Sequence, residues 1–394
     1  MSESGEKRRP YQGPVLFSLG FRPFFFLAGL LAATLLPIWV MRVTGLGFEN
    51  LQSLTSLWHA HELLYGFVAS AVAGFILTAV PNWTGRAPMC GWPLGTLVAL
   101  WIAGRAVMFA PDILGAISSA IVDAAFLPVL AILVGREILA GKNKRNLPVV
   151  LMIALFAGGN IAFHLQQLNI AELDDFGLRL GVAAMILLLS LIGGRIVPSF
   201  TENWLVSQNM GGRVIGFNSY DKIVLLLSAI VMAGWLFSPY LPFLWMGFAV
   251  LAGLHFYRLS RWGGWLCGGE FLVLFLHIAY LWLPLGFVAM AVELHQGWGN
   301  NIGIHALTAG AMANMIVAVM TRATLGHSGR ALQADAVTTL IYLMVALGAL
   351  VRVCSFFATD YVTLLHVSAG LWSGGFTVFV VYYGRMHFSP RVPN

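Results

Sequence analysis

Charge is scarce in this chain. Only 10% of its 394 residues are charged, against about 25% in a typical soluble domain. Hydrophobic residues make up 59% and the mean hydropathy is +0.83. A soluble chain of this length would divide into two or three domains with polar surfaces, and there is too little charge here to coat them. Disorder and collagen-like repeats are excluded by the same composition. Cysteine is scarce too. Cys90, Cys267 and Cys354 are the only three. They are far apart and form no CxxC pair, which excludes a disulfide framework, an iron–sulfur motif and c-type haem attachment. No P-loop, GxSxG, HExxH or dinucleotide fingerprint occurs in a usable context. The pI of 9.4 does not point to nucleic acid. It fits an excess of Lys and Arg on cytoplasmic loops. The basic start is followed by no small-residue cleavage pattern, so no signal peptide is expected.

What remains is an all-α, polytopic membrane protein. A spanning helix needs about 20 mostly apolar residues. Twelve such runs are legible, at roughly 15–41, 54–80, 94–110, 113–135, 148–169, 178–197, 221–238, 241–258, 266–291, 302–321, 335–357 and 361–384. The expected organisation is one integral membrane domain over 1–394: a cytoplasmic tail at 1–14, a twelve-helix bundle over 15–385, and a second cytoplasmic tail at 386–394. With the N-terminus inside, 18 of the 22 basic residues fall on the inner side, as the positive-inside rule requires. Only Arg42, Arg105, Arg179 and Arg352 fall outward. The acidic loop Glu172, Asp174, Asp175 lands outside. Small residues four apart (Gly66, Ser70, Gly74 on the second span; Ala306, Gly310, Asn314 on the tenth) predict close helix packing. The second, sixth and tenth spans end in weakly similar segments, a spacing that suggests three four-helix units.

Ionisable side chains inside a membrane are costly, so their positions are informative. Six of the ten histidines fall within spans: His59, His61, His164, His277, His305 and His366. Five of them, all but His277, share one stratum in the outer half of the membrane. A transporter is expected to place binding residues at the midplane, on broken helices. A shared stratum is what metal or haem ligation needs: imidazoles from several helices converging in an apolar shell. His59 and His61 are two residues apart, about 200° around an α-helix, so they predict two sites on opposite sides of the second span. Glu62 shares a face with His59 and would orient an imidazole or carry protons. On the ninth span Cys267, Glu270, His277 and Tyr280 form a polar stripe. It reads either as a proton route or as interhelical hydrogen bonding. Asp123 is an intramembrane acid with no evident partner. Arg105 and Arg352, in the outer halves of their spans, would pair haem propionates or snorkel to headgroups.

Several segments together resemble the NnrS family. They are Phe17 to Pro23 (FSLGFRP), Trp58 to Glu62 (WHAHE), Leu77 to Gly85 (LTAVPNWTG), Gly194 to Thr201 (GRIVPSFT) and Leu325 to Arg330 (LGHSGR). The resemblance implies a twelve-span bacterial inner-membrane protein that contains haem and copper and takes part in handling nitric oxide, in denitrification or under nitrosative stress. It carries over to His59, His61, Glu62, His305 and His327, which lie in or beside matching segments. It does not fix the reaction or any ligand's role.

The expected function is therefore a haem b and copper protein that binds nitric oxide and converts it, with quinol as one source of electrons and the lipid bilayer as its setting. His305 and one of His59 or His61 are the expected haem ligands, with Arg105 and Arg352 as cofactor-binding residues. The other of that pair, with His164 and His277, is expected at copper. Glu62 and Glu270 would handle protons. Two other classes stay open: a transporter of metal, haem or a small anion, and a haem-based nitric oxide sensor or assembly partner without turnover.

Overall fold

The computed structural model describes residues 11–47, 54–299 and 301–393. The basic residues Lys7, Arg8 and Arg9, which help to set the expected orientation, lie outside them. The chain is all-helical, and no strand occurs among the described residues. Twelve long helices follow one another: α1 (Phe21–Val43), α2 (Ser56–Thr84), α3 (Trp92–Phe109), α4 (Ala116–Ala140), α5 (Leu147–Gln167), α6 (Phe176–Ser207), α7 (Ser219–Phe237), α8 (Leu244–Ser260), α9 (Phe271–Gln296), α10 (Ile302–His327), α11 (Ala336–Ser355) and α12 (Tyr361–Phe388). Eleven are long and apolar enough to cross a membrane. The remaining one, α8, has 17 residues, the low end of what a bilayer requires.

The helix ends follow from the sequence. Thr55 accepts the Trp58 N–H at the start of α2, Asp335 accepts the Thr338 N–H at the start of α11, and Asp360 accepts the Thr363 N–H at the start of α12. Asn218 and Asp221 form a reciprocal capping box on α7. Each satisfies N–H groups that the first helical turn leaves unpaired. Gly85 and Gly297, both at positive φ, close α2 and α9, a conformation that other residues adopt only at a steric cost.

Three helices occupy the centre: α2, α6 and α10 pack against one another. The other nine surround them. The groups α1–α4, α5–α8 and α9–α12 join through α4 on α5, α8 on α9 and α12 on α1. This is the pattern three four-helix units would give. Large apolar side chains face outward, with Ile121, Ile132, Leu226 and Val381 all more than half exposed, as helices bordered by lipid tails require. The ring closes through Arg22. Its Nη1 donates to the carbonyls of Met386 (3.0 Å), His387 (3.0 Å) and Ser389 (2.8 Å) at the end of α12. These carbonyls have no partner within their own helix, so the FSLGFRP segment caps the last helix with the start of the first.

Two helices depart from α geometry at matching places. Residues Glu62–Val68 of α2 and Ala306–Met312 of α10 are π-helical turns. His61 immediately precedes the first and His305 the second. Such turns are rare and occur often at functional sites.

Candidate metal and cofactor sites

The first site is built between α2, α3, α4 and α5. His61 is fully buried, and both its ring nitrogens face oxygen acceptors. Nδ1 is 3.0 Å from Glu62 Oε1. Nε2 is 2.9 Å from Asn160 Oδ1 and 3.2 Å from Asp123 Oδ2. His164 Nε2 lies 2.7 Å from the same Asp123 oxygen, and Asn160 Nδ2 donates to it at 3.0 Å. Arg105 spans the group, pairing with both Glu62 and Asp123. Its stem passes close to Gly66 in the π turn, where an added Cβ would meet Arg105 Nη1 at 2.7 Å.

One donor atom each from His61, Asp123 and His164 lies within 4.8 Å of the others, and all three residues are buried. Two imidazoles and a carboxylate suit a first-row transition metal. Tetrahedral ligands on bonds of ~2.0 Å sit about 3.3 Å apart, close to the separations here. Glu62 on Nδ1 would then fix the His61 tautomer and ring orientation, the usual task of a carboxylate behind a ligating histidine. Glu62 and Asp123 outnumber the single guanidinium by one, a balance that either a proton on His61, which touches both carboxylates, or a metal cation would restore.

The second site lies on the other side of α2. His59 stacks on Trp39 of α1, with ring centroids 3.9 Å apart and planes 16° from parallel. Its buried Nδ1 has no partner. His305 Nδ1 donates to the Asn301 carbonyl at 2.8 Å, and its Nε2 accepts from Arg352 at 3.2 Å. That fixes one neutral tautomer, whose Nε2 lone pair is taken by Arg352 and would have to exchange that bond for a metal. Arg352 also covers the rings of Phe356 and Tyr361. His59 faces the region that His305 and Arg352 share. His366 of α12 donates to or accepts from Thr44 at 3.0 Å, at the end of α1.

The remaining predicted residues are placed elsewhere. Arg105, expected beside a cofactor, belongs to the first site's ion pairs. His277 does not join His61 and His164: its Nε2 is 2.8 Å from Thr201 Oγ1 of α6, and the ring backs onto Gly264. Glu270 acts as the N-cap of α9. Its Oε1 accepts the N–H groups of Leu272 and Ala334, both at 2.8 Å. His327 packs against Phe21, with centroids 5.6 Å apart.

Sequence reasoning missed a third cluster, between α6, α7, α8 and α9. Asp221 pairs with Arg258 at 2.7 Å and Arg261 at 3.4 Å. Arg258 also donates to Ser190 and to Tyr280 Oη, whose other neighbour is His255 at 2.9 Å. The two arginines read as inner-surface charges because they lie at the end of their span. The signal that would have found the cluster is the acid at the start of α7, which needs a buried partner on its neighbour.

The family model described as NnrS protein matches residues 15–391. No curated protein matches the chain.

Proposed function

The chain belongs to the NnrS family, and on that premise we propose that it is a bacterial inner-membrane protein that holds haem b and copper and binds and converts nitric oxide. The observation that carries this reading is the division of labour between neighbours on α2. His61 points into the buried cluster with Asp123 and His164, while His59 points away to Trp39, on the side where Arg352 holds His305.

The second site supplies what haem needs: two imidazoles from different helices, aromatic walls from Trp39 and Phe356, and the Arg352 guanidinium for a propionate. The first site supplies two imidazoles and a carboxylate for copper, with Glu62 as the orienting partner. The same donors also suit iron(II), so metal analysis is part of the test. When bound, haem would supply an iron that takes a neutral diatomic in exchange for one of the two imidazoles. The protein's own part is to hold the imidazoles, to exclude water through the apolar helices, and to keep Glu62 and Asp123 charge-compensated by Arg105. Electrons would come from a donor such as quinol.

The test is purification of the full chain from haem-replete cells, with reduced spectra before and after nitric oxide and with copper quantified. His59→Ala and His305→Ala should each lose most of the haem while keeping copper. His61→Ala and Asp123→Asn should lose copper while keeping the haem spectrum. A His305→Ala protein with full haem content would overturn the assignment. A wild-type protein that carries neither group would favour transport, and one that binds nitric oxide without consuming it under reduction would favour a sensor.

A further inference from the structure

At the crossing of α2, α6 and α10 the helices leave a partly open pocket of about 90 Å³, with Phe25 of α1 beside it. Ala71, Leu188, Met315 and Val319 are among its walls, and no residue lining it carries a charged, hydroxyl or amide side chain. Enclosed apolar cavities stay dry. One of about 150 Å³ takes up benzene or xenon, while a single water needs polar partners to settle. At about 90 Å³ there is room for a molecule of two or three atoms.

The two π turns explain both why the space exists and where it leads. A π turn widens the helix and interrupts the regular ridges that fill the groove of a neighbour. The last residue of each turn, Val68 on α2 and Met312 on α10, lines the cavity. The residue just before each turn is the histidine of a candidate site, His61 or His305. Each turn thus runs from a site to the cavity, a distance of roughly 10 Å at helical rise. Two non-equivalent helices carry the same arrangement, and the void lies between them.

We infer that this cavity is a binding site for a small, neutral, apolar molecule of the diatomic-gas class, held midway through the bundle before it reaches the histidine sites. The delivery half of this inference rests on the function proposed above; the binding half does not. Xenon is the probe. In lipid nanodiscs the full-length protein should show saturable xenon exchange by xenon NMR. Ala71→Phe and, independently, Met315→Phe should weaken it roughly tenfold or more by filling the space. Leu343→Phe, on the exposed face of α11, should leave it unchanged. Wild-type protein without saturable xenon, or filled variants that bind as wild type does, would overturn the cavity's role. In the haem-loaded protein the filled variants should also bind nitric oxide several-fold more slowly, with an unchanged final spectrum. An unchanged association rate in a variant blind to xenon overturns delivery alone. Absence of haem overturns the proposed function and leaves the xenon result standing.

Discussion

Arg105 shows how a single side chain governs a buried site. It holds Glu62 on α2 and Asp123 on α4 together, and without it two carboxylates would share a place almost closed to water. Breaking a buried ion pair on one side costs about 3–5 kcal/mol, whereas replacing all its members can be nearly neutral. Arg105→Met should therefore destabilise the protein by that order in a detergent-unfolding titration. The triple variant Arg105→Met, Glu62→Gln, Asp123→Asn should recover most of the loss. A single variant within about 1 kcal/mol of wild type would show that His61, His164 and Asn160 suffice to hold the two carboxylates. The same residues mark what the sequence made legible. His59 and His61 stood out because imidazoles are rare in apolar runs, and their two-residue spacing already placed them on opposite sides of the helix. Asp123 was legible as an intramembrane acid, but its partners were not. They lie 41 residues away at His164 and on two further helices, and only tertiary packing brings them together. Glu270 misled for the opposite reason. An acid at a span's end suits a proton carrier and a helix cap equally, and only its two backbone donors distinguish them.

Among the elements, the α9–α10 pair shows how close helix approach depends on absent side chains. A Cβ added at Gly303 would meet the Met290 backbone nitrogen at 2.8 Å, and one at Gly310 would meet the Trp282 ring at 2.5 Å. Without a hydrophobic force between helices in lipid, such contacts carry much of the association energy. Gly303→Ala must move backbone, so it should cost about 1–3 kcal/mol. Gly370→Ala on α12, where nothing lies within 4 Å, should be neutral or slightly stabilising through helix propensity. Thermal unfolding of the two variants compares them directly. Equal effects would mean that the α9–α10 crossing tolerates separation. The small-residue stripe on the tenth span predicted this packing. The π turns beneath His61 and His305 were not legible. Nothing in the hydrophobic pattern of Glu62–Val68 or Ala306–Met312 departs from an ordinary helix, because the extra residue in each turn is accommodated by neighbours distant in sequence.

For the molecule as a whole, the order of spans was readable because each needs its own apolar run. All twelve helices appear, eleven of them long and apolar enough to span, with ends shifted by up to ten residues: caps such as Thr55 and Asn218 set some starts, and the sixth helix runs on to Ser207. The three-unit arrangement was suggested only by spacing, since helix-to-helix contacts leave little trace in one sequence. Orientation follows from the basic residues, and two native cysteines test it. Cys90 lies between α2 and α3 and is partly accessible, Cys354 is exposed at the far end of α11, and Cys267 is buried. With the basic loops inside, a membrane-impermeant maleimide should label Cys354 in intact spheroplasts and reach Cys90 only after permeabilisation. The reverse pattern would invert the molecule and move both histidine sites to the cytoplasmic side.

The Arg22 clasp also sets a schedule for biosynthesis. Its acceptors on Met386 and His387 are made more than 360 residues later. At about 5–20 residues per second the first helix must wait roughly 20–70 s for them. During that interval its guanidinium has no end of α12 to hold and must remain near the headgroups while eleven more helices are threaded into the bilayer. A ribosome that stalls before the last helix therefore leaves an open ring, with the Arg22 guanidinium at its seam lacking the three carbonyls that hold it in the finished protein.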